Sequence, residues 1–322
     1  MRILVTGGAG FIGSHLCERL VLEGHQVTAI DNLSTGKAEN LAQLIDSVNF
    51  NLVIDSILNT EVLIPLVESA DYIFHLAAAV GVFNIVKSPL TSLLTNVRGS
   101  ENVLEAAHAQ GIPVFLTSSS EVYGKNTSNS LKESDDRILG SPVTLRWSYS
   151  EAKAIDESLA YAYFVEKQLE IRIVRFFNTV GPRQLGTYGM VVPRFVKSAL
   201  ANEPITIYGD GNQTRCFGHV YDIVDAVLAI AFAKNTIGKV INIGNDFEIS
   251  INDLAKKIIE KTVSKSEIVY VSYEEAYGDG FEDMERRVPN IDLINQLVGW
   301  KPQRNLSEII KDITNDMTVD SK

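Results

Sequence analysis

Arg2-Ile3-Leu4-Val5-Thr6-Gly7-Gly8-Ala9-Gly10-Phe11-Ile12-Gly13 stands at the start of the chain, and the fold turns on how it is read. Its first five residues form an apolar run suited to a buried parallel strand. Glycines follow at positions 7, 10 and 13, ahead of an amphipathic helix that extends to about Glu23. Strand, glycine turn and helix together mark a dinucleotide site. The glycines permit a tight turn and close approach of a pyrophosphate, and the helix N-terminus faces its charge. Gly7, Gly10, Phe11, Ile12 and Gly13 are therefore candidate cofactor residues. A second strand, Gln26–Ile30, ends in Asp31-Asn32. An acid there accepts hydrogen bonds from the adenosine ribose hydroxyls and repels a 2′-phosphate, so the expected cofactor is NAD rather than NADP.

Further strand patterns cover Phe50–Ile54, closed by Asp55, and Asp71–Ala79, closed by small residues including Ala77 and Ala78. Small residues let backbone lie close to a cofactor. His75, inside that apolar run, reads as a satisfied core histidine. A helix over Leu90–Ala109 carries Asn96. Val114–Thr117 is a fifth strand, and Ser118-Ser119-Ser120-Glu121-Val122-Tyr123-Gly124 lies at its carboxyl edge, where ligands of open parallel sheets bind. After a polar loop, a helix to about Lys167 and a strand over Ile171–Phe176 keep the alternation going. The pattern predicts an α/β protein with a doubly wound parallel sheet.

The rhythm breaks after Phe177-Asn178-Thr179-Val180-Gly181-Pro182-Arg183. Helices are expected over 190–201, 222–233, 251–261 and 307–315, with strands near 205–207 and 240–243. This predicts a smaller mixed α/β lobe, interleaved with the first. The expected division is 1–177 with 218–246 for the cofactor, and 178–217 with 247–322 for the substrate. Only the tail beyond Asp316 reads as disordered.

Composition narrows the function classes. The chain has 322 residues, is 45% hydrophobic and 21% charged, and carries a net charge of −11. That balance argues against nucleic acid or an anionic membrane surface as partner. No apolar run is long enough to span a bilayer, and no signal-peptide pattern precedes the first strand, so the expected compartment is the cytoplasm. Cys17 and Cys216 offer neither a disulfide framework nor metal-ligand spacing, and both read as small buried hydrophobes. No metal is expected.

The chemistry converges on Arg146-Trp147-Ser148-Tyr149-Ser150-Glu151-Ala152-Lys153. On a helix, Tyr149 and Lys153 share a face one turn apart. A phenol is a poor base at neutral pH, and a neighbouring ammonium lowers its pKa. The pair is thus a candidate base for taking a proton from an alcohol.

With these pieces at one sheet edge, the chain resembles the extended short-chain dehydrogenase/reductase family of nucleotide-sugar epimerases, dehydratases and decarboxylases. The resemblance covers nearly the whole chain. It rests on Gly7, Gly10, Gly13, Asp31, His75-Leu76-Ala77-Ala78, Asn96, Ser119, Tyr149 with Lys153, and Phe177-Asn178 with Gly181-Pro182. It implies a Rossmann-type sheet and retained NAD, with Tyr149 as base. Lys153 would tune that base and hold the nicotinamide ribose, and Ser119 would bond the sugar hydroxyl. It implies further that oxidation of the sugar 4-hydroxyl to a ketone starts every reaction of the group. The second lobe is similar to a UDP-binding lobe in Val191-Val192-Pro193-Arg194-Phe195, Ile207-Tyr208-Gly209 and Arg215. There Tyr208 would stack on the base, and Arg215 and Arg287 would pair with phosphate. Ser120, Asn178 and Val192 complete the expected substrate contacts. Two long helices, Leu90–Ala109 and Tyr149–Lys167, would pair across a homodimer as a four-helix bundle.

Ser119-Ser120-Glu121-Val122-Tyr123-Gly124 separates the subfamilies. Hexose 4,6-dehydratases carry Asp-Glu where this chain has Ser120-Glu121, and serine is a poor acid for a departing hydroxyl. Simple 4-epimerases generally have a small or apolar residue at the position of Glu121. UDP-glucuronate decarboxylases resemble this chain in Ser-Glu-Val-Tyr-Gly, in Arg146-Trp147 and in Arg215-Cys216-Phe217. The leading expectation is a UDP-hexuronate decarboxylase in which Glu121 takes part in the chemistry, and a UDP-sugar 4-epimerase is the alternative. The chain departs from the decarboxylase pattern at Ala79-Val80-Gly81-Val82, where that group has a Ser-Pro-rich loop.

Overall fold

The structure is a computed structural model that describes residues 1–79, 88–186, 190–277, 284 and 286–319. The first half runs β1 (Arg2–Thr6), α1 (Phe11–Leu22), β2 (Gln26–Asp31), β3 (Phe50–Ile54), α2 (Thr60–Glu68) and β4 (Tyr72–His75). It continues with α3 (Pro89–Gln110), β5 (Val114–Ser119), α4 (Ser148–Lys167) and β6 (Ile171–Phe176). Then come β7 (Thr179–Val180), α5 (Val191–Ala201), β8 (Ile205–Tyr208), β9 (Thr214–Cys216), β10 (Gly218–His219), α6 (Val220–Ala231) and β11 (Val240–Ile243). The chain closes with β12 (Glu248–Ser250), α7 (Ile251–Thr262), β13 (Ile268–Val271), α8 (Tyr273–Tyr277), β14 (Arg286–Arg287), α9 (Asp292–Val298) and α10 (Leu306–Val319).

Seven strands form one parallel sheet in the order β11-β6-β5-β4-β1-β2-β3. The opening stretch explains its centre. Side chains of a strand alternate between faces. Ile3 and Val5 enter the core beneath α1 and α6, whereas Leu4 enters the core beneath α2, α3 and α4. Both faces of the sheet are covered, so the strands read as unbroken apolar runs. The strand order reverses at β1, which pairs with β2 on one side and β4 on the other. A crevice opens beyond the carboxyl ends of strands at such a reversal.

A third core lies between α5, α7 and α10 and includes Phe195, Leu254 and Ile309. The smaller sheets hang on this lobe: β9 between β12 and β14, β8 with β13, and β7 with β10. The β7–β10 pair lies just after β6 and just before α6, so the two lobes share a seam.

Several expectations change. The run Asp71–Ala79 is a strand only to His75, and residues 76–79 leave the sheet toward the crevice. The expected helix over 222–233 begins at Val220, because the His219 ring accepts the Tyr221 N–H at 3.1 Å and caps the first turn. The tail expected to be disordered beyond Asp316 continues as helix to Val319, with Met317 packed on the third core. Among the described residues, no helix is long and apolar enough to cross a membrane.

Candidate active site

The glycine turn is built by contacts that no side chain tolerates. Gly7 has φ +73°, and a Cβ there would sit 2.7 Å from the Ala77 nitrogen. A Cβ on Gly13 would lie 2.1 Å from the Gly7 carbonyl oxygen. The Gly7 N–H donates to the Ile30 carbonyl at 2.8 Å, which ties the turn to β2. At the end of β2, Asp31 closes the same turn. Its two carboxylate oxygens accept the Ala9 N–H at 3.0 Å and the Leu33 N–H at 2.8 Å. Burial raises the Asp31 pKa above the usual carboxylate value, and the backbone amides partly offset this.

One cavity of about 500 Å³ runs from this turn across the sheet edge into the second lobe. That volume is in the range of small-molecule sites. Gly7, Gly10, Phe11, Ile12, Gly13, Asp31, Asn32, Asp55, Ala77 and Ala78 all line it. Ser34, Thr35 and Asn40 lie beside Asp31 and Asn32, and no cation lines this end among the described residues. A glycine cradle at a helix N-terminus with a strand-terminal carboxylate fits NAD, and the Asp31 carboxylate would repel a 2′-phosphate. Asn96 stands apart. It does not line the cavity; its side chain is buried and clamps the backbone of Ala79, accepting from N at 2.7 Å and donating to O at 3.3 Å. Val80, Gly81 and Val82 lie outside the described residues.

Tyr149 and Ser119 both line the cavity, and the Ser119 side chain acts on the Tyr149 phenol to favour its ionised form. Lys153 is buried, and its Nζ donates to the Thr117 carbonyl at 3.1 Å and to Asp156 Oδ2 at 3.0 Å. The expected effect of Lys153 on Tyr149 is present but does not prevail in the protein alone. Burial raises the Tyr149 pKa above 10, and the Lys153 ammonium only opposes that rise. Burial also works against the charge on Lys153, but Asp156 and Tyr149 outweigh it and raise its pKa.

Below this pair lies a satisfied polar seam. The His75 ring bonds Thr6 Oγ1 at 2.8 Å and Ser100 Oγ at 3.1 Å, and Thr117 Oγ1 donates to the His75 carbonyl at 3.0 Å. Burial, with Lys153 nearby, pushes the His75 pKa down to about 3, so the ring is neutral, as expected for a core histidine. The same holds for the thiols: Cys17 and Cys216 are buried and unpaired, and burial raises both pKa values, that of Cys216 to about 12.

Glu121 sits one residue past Ser120, in a short helical turn begun when Ser119 Oγ accepts the Glu121 N–H at 3.2 Å. Two guanidinium groups reach its carboxylate. Arg146 Nη1 lies 2.6 Å from Oε2, and Arg287 Nη1 lies 2.7 Å from Oε1. Burial alone would raise the Glu121 pKa, but the two arginines overcome it and hold the carboxyl well below its usual range. It is ionised at any working pH and holds no proton to give. Arg146 comes from the turn before α4 and stacks on Trp147 at 5.6 Å. Arg287 arrives on β14, where pairing with β9 sets it beside Arg215. It was expected at a phosphate, and the fold places it against Glu121.

The far end of the cavity is lined by Val191, Arg194, Tyr208, Gln213, Arg215 and Tyr273. The Arg194 guanidinium lies over the Tyr208 ring at 4.3 Å, so one face of that ring already carries a cation. Ser120 and Asn178 line the cavity, and Asn178 Nδ2 also donates to the Cys216 carbonyl at 3.0 Å across the seam between the lobes. Val192 does not line it; the side chain is fully buried in the third core, and its neighbours Val191 and Arg194 face the cavity instead. Arg183 and Gln184 also line it and were not singled out. They directly follow Gly181-Pro182, and that adjacency was the available signal. Tyr273 comes from a segment whose pattern gave none.

Comparison with known proteins agrees with this architecture. The profile of the NAD dependent epimerase/dehydratase family matches residues 3–244. The chain is 40% identical to a UDP-N-acetyl-alpha-D-glucosaminuronate decarboxylase of Bacillus cytotoxicus, over 98% of this chain and 99% of that one. It is 37% identical to UDP-glucuronic acid decarboxylase 1 of Xenopus tropicalis, over 95% of this chain and 70% of that one. A crystal structure of UDP-glucuronic acid 4-epimerase from Bacillus cereus, in complex with UDP-glucuronic acid and NAD, superposes with a TM-score of 0.89 at 30% identity, covering 99% of each chain. The glycine cradle, the Tyr149–Lys153 pair and a family profile that spans most of the chain agree: the chain belongs to the NAD-dependent epimerase/dehydratase family and is an NAD-dependent enzyme that modifies nucleotide sugars.

Proposed function

We propose that the chain decarboxylates a UDP-hexuronate, either UDP-glucuronate or its 2-acetamido analogue, after oxidation at carbon 4. The observation that carries this reading is Glu121 held between Arg146 and Arg287 in the wall of the cavity that also contains Tyr149. Three charged groups with a net positive sum, set beside the reacting centre, suit a substrate that is itself a carboxylate.

In this reading Gly7, Gly10, Phe11, Ile12, Gly13, Asp31, Asn32, Asp55, Ala77 and Ala78 hold NAD, with Asn96 acting through Ala79. Bound there, NAD would supply the hydride acceptor for carbon 4 and, once reduced, a hydride donor for the final ketone. Tyr149 takes the proton of the 4-hydroxyl at its phenol oxygen, Ser119 orients that hydroxyl, and Lys153 stabilises the resulting phenolate. The product is a β-keto acid. Its carbon 5–carbon 6 bond breaks, carbon dioxide leaves, and the electron pair passes into an enolate that the ketone stabilises. Arg146 and Arg287 draw the carboxylate in. Glu121, being ionised, repels it, so the site binds the group without over-stabilising it, and loss of carbon dioxide relieves the repulsion. A proton returned to carbon 5 gives a UDP-4-keto-pentose from UDP-glucuronate; return of the hydride to carbon 4 and of the Tyr149 proton to its oxygen gives UDP-xylose, whereas release of the ketone would leave the cofactor reduced. Tyr208, Arg215, Ser120 and Asn178 position the UDP-sugar. Residues 1–177 with 218–246 form the cofactor domain, and the remainder forms the substrate lobe.

Proton NMR of the protein with each UDP-hexuronate tests this. A UDP-pentose product supports it. A UDP-hexuronate epimerised at carbon 4, with its carboxylate retained, supports the epimerase alternative.

We further propose a homodimer through α3 and α4. These helices pack on each other, and α4 leaves Ile155, Tyr161 and Val165 exposed by 48%, 48% and 61%. Tyr161 and Val165 stand one turn apart on one face of the helix.

A further inference from the structure

Two buried carboxylates stand next to each other on α4, and they are satisfied very differently. Glu157 is saturated. Its Oε1 accepts from Ser118 Oγ at 2.6 Å and from Arg175 Nε at 2.8 Å, and its Oε2 accepts from Arg175 Nη2 at 2.8 Å. Such a bidentate pairing cancels its charge locally. Asp156 is fully buried, at 0% exposure. Its Oδ2 meets only Lys153 Nζ, at 3.0 Å, and its Oδ1 has no hydrogen-bond partner among the described residues. A carboxylate kept for packing alone would close both oxygens, because an unpaired buried acceptor costs stability. This one directs its field at the ammonium beside the catalytic phenol.

We infer that Asp156 is a positioning residue of the proposed reaction: it anchors the Lys153 ammonium against the Thr117 carbonyl and sets how readily Tyr149 gives up and takes back its proton. The inference rests on the reading of Tyr149 as base, but not on which sugar is the substrate. Lys153 without a counter-ion would hold Tyr149 as phenolate too firmly to return the proton. Lys153 paired to Asp156 is a weaker, balanced partner. The other groups that act on this pair are known. Tyr149 feels Lys153, Glu121, Asp156 and the Ser119 side chain. Lys153 feels Asp156, Tyr149 and Glu157 from its own helix. From β4, His75 faces Lys153 as a neutral ring. Arg146 and Arg287 act on Glu121 and lie one group further out.

The test is the pH profile of kcat for the holoenzyme and for Asp156→Asn and Asp156→Glu. Removing the Asp156 charge favours phenolate at Tyr149 and disfavours the charge on Lys153, so both limbs move the same way. The Asn variant should shift acid and alkaline limbs to lower pH by about one unit, the scale of a nearby charge, and the Glu variant should restore most of the shift. A purely structural role would lower the melting temperature and kcat without moving either limb, and that result overturns the inference. Should the Asn variant fail to fold, ultraviolet titration of phenolate in the charge-removing Asp156→Ser and in Tyr149→Phe/Asp156→Ser decides. The difference between them reports Tyr149 alone. A value displaced from that of the unaltered enzyme supports coupling, and an identical value contradicts it.

Discussion

Arg287, from the last strand of the chain, sets its Nη1 2.7 Å from Oε1 of Glu121, at the carboxyl end of β5. The contact ties the second lobe to the parallel sheet in the wall of the cavity that Tyr149 also lines. Arg287→Ala leaves Glu121 with Arg146 alone in a site that is nearly closed to solvent. Breaking a buried pair costs about 3–5 kcal/mol, so the melting temperature should fall clearly. Glu121→Gln/Arg287→Ala should be less stable than Arg287→Ala, since it also takes the carboxylate contact from the buried Arg146 guanidinium. Thermal unfolding of the three proteins checks this, and equal stability of the single and double variants would count against an energetic pairing.

Tyr149→Phe keeps the ring and removes the proton acceptor. Turnover should fall by about 10³-fold or more, within the usual range for a general base or beyond it. NAD content after purification should not change. Retention of activity would remove Tyr149 from the role given to it.

Gly13→Ala places a methyl carbon 2.1 Å from the Gly7 carbonyl oxygen. The turn has to open, and overpacking of this kind costs about 1–3 kcal/mol. The purified variant should have lost most of its NAD, measured by absorbance after acid release. Asp31→Asn should weaken NAD binding as well, because the carboxylate both closes the turn through Ala9 and Leu33 and faces the cavity.

Val165→Glu, at a position 61% exposed on α4, should convert a dimer to a monomer in sedimentation velocity without lowering NAD content. An unchanged sedimentation coefficient at dimer size would place the interface elsewhere.

The inner strands of the sheet were legible because they are buried on both faces and so read as short apolar runs; Ile171–Phe176 matches to the residue, and so does the edge strand Phe50–Ile54, although Asn51 and Ile54 are exposed. The glycine turn was legible because its contacts exclude every side chain. The second lobe was harder. Its strands are two to four residues long, and pairings such as Arg287 with Arg215 join distant segments, for which sequence spacing carries no signal. Glu121 was legible as a candidate, but its two arginine partners were not, since only the fold brings Arg146 and Arg287 to it. The sign of the Tyr149 shift was missed for a related reason: the i,i+4 spacing reveals Lys153, whereas the depth of burial that outweighs it appears only in three dimensions.

The most direct measurement follows the carboxylate itself. Enzyme is incubated with UDP-glucuronate, and separately with its 2-acetamido analogue, each carrying carbon-13 at carbon 6. The account predicts that with one of them the label leaves as carbon dioxide at the rate at which a UDP-pentose appears, and that Tyr149→Phe abolishes both signals. Label retained in a sugar epimerised at carbon 4 would contradict it.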